Sequence, residues 1–146
     1  MPSTTRDATT HWTGGLRDGT GHVTLDSSNA GQFDVSFPTR AGNPEGQTSP
    51  EELIAAAHSA CYAMSLSNGL AQAGFPPSTI DVSAEVTLGQ TDDGLAITGI
   101  ELTVRAQADG LTDADRFSEI ARGAERSCPV SKALAGTTIT LDAALG

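Results

Sequence analysis

The chain has 146 residues, of which 38% are strictly apolar, and 16 glycines add to that share. This composition sustains a buried core and sets wholesale disorder aside, and the length suits a single domain over residues 1–146. With 8 Lys plus Arg against 18 Asp plus Glu the formal charge is −10, which repels phosphate backbones and anionic membrane surfaces, so nucleic acid and membrane are excluded as partners.

In chain order, residues 1–6 lack the basic segment and apolar stretch of a signal peptide, and residues 2–10 read as polar and frayed at their start. No apolar run approaches the ~20 residues that span a bilayer, so a cytoplasmic location is expected. Residues 9–26 predict two short strands around the turn Gly14-Gly15-Leu16-Arg17-Asp18-Gly19, and residues 32–37 predict a third. The stretch 40–49, with its Pro, Gly and Asn, reads as a loop. The clearest helix follows. Ser49 is its N-cap, Pro50 suits the first helical position, and Glu52 completes a Ser-x-x-Glu capping box. The helix runs to about Ala73, where Gly74 stops it and Pro76 and Pro77 prevent resumption. Its apolar stripe reads as Ile54, Ala57, Cys61 and Met64, and its polar stripe as Glu51, His58, Ser65, Asn68 and Gln72. Alanines at 55, 56, 57, 60 and 63 keep it thin, which predicts a central position.

Next, Ile80, Val82, Ala84, Val86 and Leu88 alternate with polar residues. After the turn Asp92-Asp93-Gly94, Leu95 and Ile97 alternate, then Ile100, Leu102 and Val104; the change of parity at Gly99 predicts a β-bulge in an antiparallel hairpin. Thr112 is expected to cap a further helix through Thr-x-x-Asp, with Phe117, Ile120, Ala121 and Ala124 inward. Ser127-Cys128-Pro129 restarts a short helix that ends near Gly136, and residues 137–141 close as a strand. The order β-β-β-α-β-β-α-α-β defines an α+β fold with mostly antiparallel sheet around the long helix.

Two thiols in a reducing compartment are either buried filler or chemistry, because lasting disulfides are rare there. Cys61 lies mid-helix, where the helix dipole gives no help, so a reactive thiolate there needs an external cation. Cys128 precedes Pro129 at a helix start, where free N–H groups lower a thiol's pKa. His58, three residues before Cys61, has the spacing to share a metal with it. Zinc needs further ligands, however, and neither Cys-x-x-Cys nor His-Glu-x-x-His occurs, so His58 reads as a polar-face residue. The glycines of residues 13–19 lack the Gly-Lys-Ser/Thr ending of a phosphate loop. Glu51 favours the positive end of its helix or orients an Arg. It precedes Cys61 by ten residues, roughly 15 Å along a helix axis, so it cannot serve that thiol within one helix. Two antiparallel copies of the helix would bring Glu51 of one chain to Cys61 of the other.

Taken together, these segments form a signature. The run Ser-Pro-Glu-Glu-Leu-Ile-Ala-Ala-Ala-His-Ser-Ala-Cys-Tyr-Ala-Met-Ser-Leu at 49–66 and Cys-Pro-Val-Ser-Lys-Ala-Leu at 128–134, with His11-Trp12, Gly14, Phe37-Pro38-Thr39-Arg40 and Gly74-Phe75, resemble the osmotically inducible protein C (OsmC) family over nearly the whole chain. His58 and Val130-Ser131-Lys132 place it nearer that group than its sister, the organic hydroperoxide resistance proteins. The resemblance implies an intertwined homodimer and a thiol peroxidase that reduces organic hydroperoxides better than hydrogen peroxide, in defence against oxidative stress. Cys61 would be the peroxidatic thiolate and Cys128 the resolving thiol, with the disulfide between them reduced by an external dithiol, lipoyl-type among the options. Arg40 would lower the pKa of Cys61, and Glu51 would hold Arg40. Arg17, near the place of the sister group's catalytic Arg, is the alternative cation, and Arg40 is preferred. No cofactor is implied, because sulfur carries both electrons. The rival expectation is a non-enzymatic stress protein of the same fold that binds a small apolar ligand or partner.

Overall fold

A computed structural model describes residues 3–146; the part of the frayed-start and leader readings that falls on residues 1–2 lies outside them. Strands β1 (Thr9–Thr13), β2 (Thr20–Thr24) and β3 (Gln32–Val35) form an antiparallel sheet in that order, as the turn residues require. Asp7 is tied down before it: its N–H donates to Ser27 Oγ at 2.6 Å, and Ser27 N–H returns a bond to Asp7 O at 3.2 Å.

After β3 the structure differs from the sequence reading. Residues 37–41 are neither strand nor loop but a short helix, α1 (Phe37–Ala41), entered through Ser36 in extended geometry with Pro38 in its first turn. One turn is too short to show helical periodicity, so only the Ser-x-Pro start marks it. Helix α2 (Pro50–Gln72) begins as expected, with Glu52 N–H donating to Ser49 Oγ at 3.1 Å. The reciprocal half of the box is replaced, since the Glu52 carboxylate accepts from Thr48 Oγ1 at 2.6 Å. Gly74, at φ +91°, ends the helix in a Schellman turn: Phe75 N–H reaches Leu70 O at 2.8 Å and Gly74 N–H reaches Ala71 O at 3.0 Å.

Strands β4 (Pro77–Thr91) and β5 (Gly94–Ala108) form the expected hairpin. Its register slips where Thr87 pairs Gly99 and Leu88 pairs Ile97, which leaves Thr98 as the bulge residue. Helix α3 (Ala114–Ser127) buries Phe117, Ile120, Ala121 and Ala124, the inward face read from spacing. Its cap is Asp113 rather than Thr112: Asp113 Oδ1 accepts from Asp115 N–H at 2.9 Å and Arg116 N–H at 3.3 Å. Cys128 then ends α3 and starts α4 (Pro129–Ala133). Strand β6 (Ile139–Leu145) starts two residues later than read and runs four further, and it pairs with β5 in parallel. The α3–α4 excursion supplies the crossover that a parallel partner needs.

The chain resolves into two compact units, Met1–Glu52 and Leu53–Gly146. The core of the second is built by Tyr62, Leu66 and Leu70 of α2, Ile100, Leu102, Val104 and Ala106 of β5, and the buried face of α3. The face of α2 that it uses corrects the stripe read from sequence. His58, Tyr62, Leu66 and Leu70, each four apart, are buried, whereas Ala57 is exposed and Met64 is 72% exposed. Burying one large apolar side chain is worth about 1.5–3 kcal/mol. Tyr62, Leu66 and Leu70 on one row therefore outweigh a row that carries Ala57. His58 lies on that buried row and not on a polar face.

Candidate active site

The two cysteines meet in the second unit. Cys61, partly buried on the flank of α2, and Cys128, fully buried between α3 and α4, are free thiols with their Sγ atoms 3.2 Å apart and one hydrogen bond between them. Sixty-seven positions separate them in sequence. Two features set this approach. Tyr62, next to Cys61, donates its hydroxyl to Ala121 O at 2.9 Å and so ties α2 to α3. Cys128 sits where α3 stops, its N–H bonded to Ala124 O, and where α4 begins.

The surroundings act on the two thiols in opposite directions. Burial pushes Cys61 up, the Val130 N–H opposes this only in part, and the neighbouring Cys128 adds to the rise. Burial also acts against ionisation of Cys128, but the Ser131 hydroxyl, the N–H groups of Ser131 and Val130, and Cys61 outweigh it and bring the thiol below its ordinary value. The first turn of α4 thus eases ionisation of Cys128.

The second predicted pair lies in the first unit. Arg40, in the last turn of α1, makes a bidentate ion pair with Glu51 in the first turn of α2: Nε donates to Oε1 at 2.9 Å and Nη2 to Oε2 at 2.8 Å. Glu51 is buried, and Arg40 is about a third exposed. Hydrogen bonding from Arg40 holds the Glu51 carboxyl below its ordinary range against the opposing effect of burial, and the same bonds raise Arg40. Around this pair, Thr39 Oγ1 lies 2.7 Å from Ser36 Oγ and donates to Gln47 Oε1 at 2.9 Å, which fastens α1 to the segment before α2. Arg17, the alternative cation, rests over the Phe37 ring at 5.8 Å from its centroid.

Two further residues belong to the thiol site. His58 is fully buried with Nε2 2.7 Å from Ser131 Oγ, and burial lowers its pKa, so the ring is neutral. The reading of His58 as a polar-face residue is therefore overturned, and its Nε2 is engaged by a hydroxyl. The available signal was the spacing Cys128-x-x-Ser131, which places Ser131 at the third helical position facing the N-cap. Among the described residues, no group of three or more His, Cys, Asp or Glu is arranged to hold a metal, and no helix is long and apolar enough to cross a membrane.

Comparison with known proteins identifies the family. Residues 42–142 match the family described as OsmC-like protein. The chain is 44% identical over 132 residues to the peroxiredoxin OsmC of Escherichia coli (strain K12), covering 90% of each chain. It is 31% identical over 105 residues to the organic hydroperoxide resistance protein-like 2 of Staphylococcus epidermidis, covering 70% of this chain and 71% of that one. Among solved structures, an organic hydroperoxide resistance protein OsmC of Legionella pneumophila superposes with a TM-score of 0.79 at 23% identity, covering 99% of both chains. The organic hydroperoxide resistance protein OhrB of Bacillus subtilis superposes with a TM-score of 0.72 at 27% identity, covering 96% of this chain and 98% of that one. With an α+β fold shared along its length and a family match that spans both cysteines, this chain belongs to the OsmC-like protein family.

Proposed function

We propose that the protein is a cytoplasmic, cysteine-based peroxidase that reduces organic hydroperoxides to alcohols, with hydrogen peroxide a poorer substrate. The observation that carries this reading is the 3.2 Å approach of Cys61 and Cys128 Sγ. Peroxidatic and resolving thiols need such proximity, because one must attack the sulfenic acid formed on the other. The names of the E. coli and S. epidermidis relatives support the same chemistry.

In the proposed cycle the Cys61 thiolate attacks the distal oxygen of the hydroperoxide. The O–O bond breaks, Cys61 becomes a sulfenic acid, and the alkoxide leaves and takes up a proton to give the alcohol. The Cys128 thiolate then attacks the Cys61 sulfur. An S–S bond forms, the S–O bond breaks, and the departing hydroxide is protonated to water. An external dithiol, a lipoyl-type one among the candidates, reduces the disulfide and is itself oxidised. Haem, flavin and metal play no part in these steps, because sulfur carries both electrons.

Cys61 is raised within its own protomer, so its activation calls for a cation from elsewhere. Arg40 is the proposed source, held by Glu51, and a homodimer with shared sites lets Arg40 of one chain serve Cys61 of the other. Thiol counting after one equivalent of cumene hydroperoxide tests the reaction. Both thiols are expected to disappear into an intramolecular disulfide. Two surviving thiols would refute the peroxidase and favour a non-enzymatic protein of this fold.

A further inference from the structure

Of the chain's 8 basic residues, most are engaged within the fold. Arg6 donates to Thr5 O, Arg17 rests on the Phe37 ring, and Arg40, Arg105 and Arg116 pair with Glu51, Asp142 and Glu119. The others, Arg122, Arg126 and Lys132, are exposed, and among the described residues none of them forms an ion pair. All lie on α3 and α4, the helices that meet at the buried Cys128. Residues 120–141 contain one of the 18 Asp and Glu residues, Glu125. A protein with a formal charge of −10 thus presents a small positive face on the two helices that hold its second thiol.

Helix ends explain part of this. Arg126 and Lys132 each occupy the last turn of a helix, where the dipole favours a cation. Arg122 lies a turn further back, beyond that field, and its spacing of four places it on the same side of α3 as Arg126. Arg126 and Lys132 also line one open cavity of about 340 Å3, whose wall includes the buried Ser131 and the acid Glu125. Two cations against one acid leave this cavity suited to an incoming carboxylate side chain.

We propose that the face formed by Arg122, Arg126 and Lys132 docks an acidic protein that carries the reducing dithiol and brings it to the Cys61–Cys128 disulfide. The inference rests on the proposed cycle, in which an external dithiol must visit that pair; it adds the surface that receives the reductant and the charge of the partner. Two acidic proteins repel each other except where one offers a face of opposite sign, so these cations govern both the rate and the orientation of encounter. In the docked complex a partner thiolate attacks the disulfide, forms a mixed disulfide and releases one cysteine as a thiolate. The partner's second thiol then displaces the other cysteine and closes its own disulfide. Two electrons and two protons pass to this protein, and the partner is left oxidised.

The probe is an acidic lipoyl-bearing protein domain reduced to its dithiol, with free dihydrolipoamide as the uncharged reference for the same chemistry. The disulfide is made with diamide rather than peroxide, so the docking measurement and the proposed peroxidase reaction can fail separately. Combining Arg122→Glu, Arg126→Glu and Lys132→Glu is expected to lower the second-order rate constant for the domain by about tenfold or more, and to keep that for dihydrolipoamide within about twofold. An unchanged rate with the domain, or an equal fall with both reductants, overturns the proposal. Single variants separate this face from net charge. Lys132→Glu should slow the domain by about threefold, whereas Arg6→Glu, the same change of charge in the first unit, should stay within about 1.5-fold. Equal losses in these two variants also overturn it.

Discussion

A guanidinium held by two parallel hydrogen bonds is an oriented charge, and Arg40 is held in this way by Glu51. The carboxylate is buried and fixed to the first turn of a helix whose N-terminal end favours negative charge, so the pair is set at its acidic end while the cation keeps an exposed edge. Arg17 has a different environment, an aromatic face, and among the described residues no carboxylate forms an ion pair with it. The two arginines therefore give distinct expectations in a hydroperoxide assay. Arg40→Ala should lower the peroxidase rate by about 100-fold or more and Glu51→Gln by a smaller factor, as for loss of a charge that stabilises both nucleophile and leaving oxygen. Arg17→Ala should stay within about threefold of the parent. Steady-state rates of the three variants decide this, and an unaffected Arg40→Ala removes Arg40 from the mechanism. Cys61, Cys128, Arg40 and Glu51 stand out as candidates because each sits in a distinctive run of residues. His58 was misread because residue type suggested solvent, whereas the row it shares with Tyr62, Leu66 and Leu70 goes into the core.

At the level of elements, the long alternating and capped segments were legible and the single-turn ones were not. The β4–β5 hairpin showed its bulge through a change of parity, and α3 showed its buried face through spacing. Helix α1 gave no such pattern, since five residues complete barely one turn. The stripe of α2 was ambiguous because alanines populate several of its sides, and only the large residues of the second unit's core settle which row is buried. The cap of α3 was misplaced by one residue because Thr112 and Asp113 are both good caps in sequence. Geometry separates them. Asp113→Ala removes acceptors from two N–H groups and should cost about 1 kcal/mol in urea denaturation, whereas Thr112→Ala should fall within about 0.5 kcal/mol of the parent. Equal losses in the two variants would contradict the cap assignment.

For the whole molecule, the proposed sharing of sites between two chains makes a prediction that no single variant can. A chain with Arg40→Ala keeps its thiols, and a chain with Cys61→Ser keeps its arginine. If each site draws Cys61 from one chain and Arg40 from the other, the two inactive proteins regain activity when refolded together. Random pairing makes half the dimers mixed, each with one intact site, so about one quarter of the parent activity should return. Absence of recovery, with mixed dimers shown by mass, would place Arg40 and Cys61 of one chain in one site. In the sequence, the ten-residue spacing of Glu51 and Cys61 on a helix raises this arrangement as an expectation, and the family resemblance implies the homodimer it needs.

The meeting of Cys61 and Cys128 also bears on unfolding. A bond between two sulfurs 67 positions apart would close a long loop in the unfolded chain, and the entropy so removed corresponds to about 4 kcal/mol in a chain-entropy treatment. Oxidation would therefore fasten α2 to the α3–α4 junction and make the oxidised protein the harder one to unfold. The reductant that returns the thiols would release that fastening in the same step. Protection against peroxide and resistance to unfolding would then rise together at the moment of oxidative challenge, as two outcomes of one covalent bond.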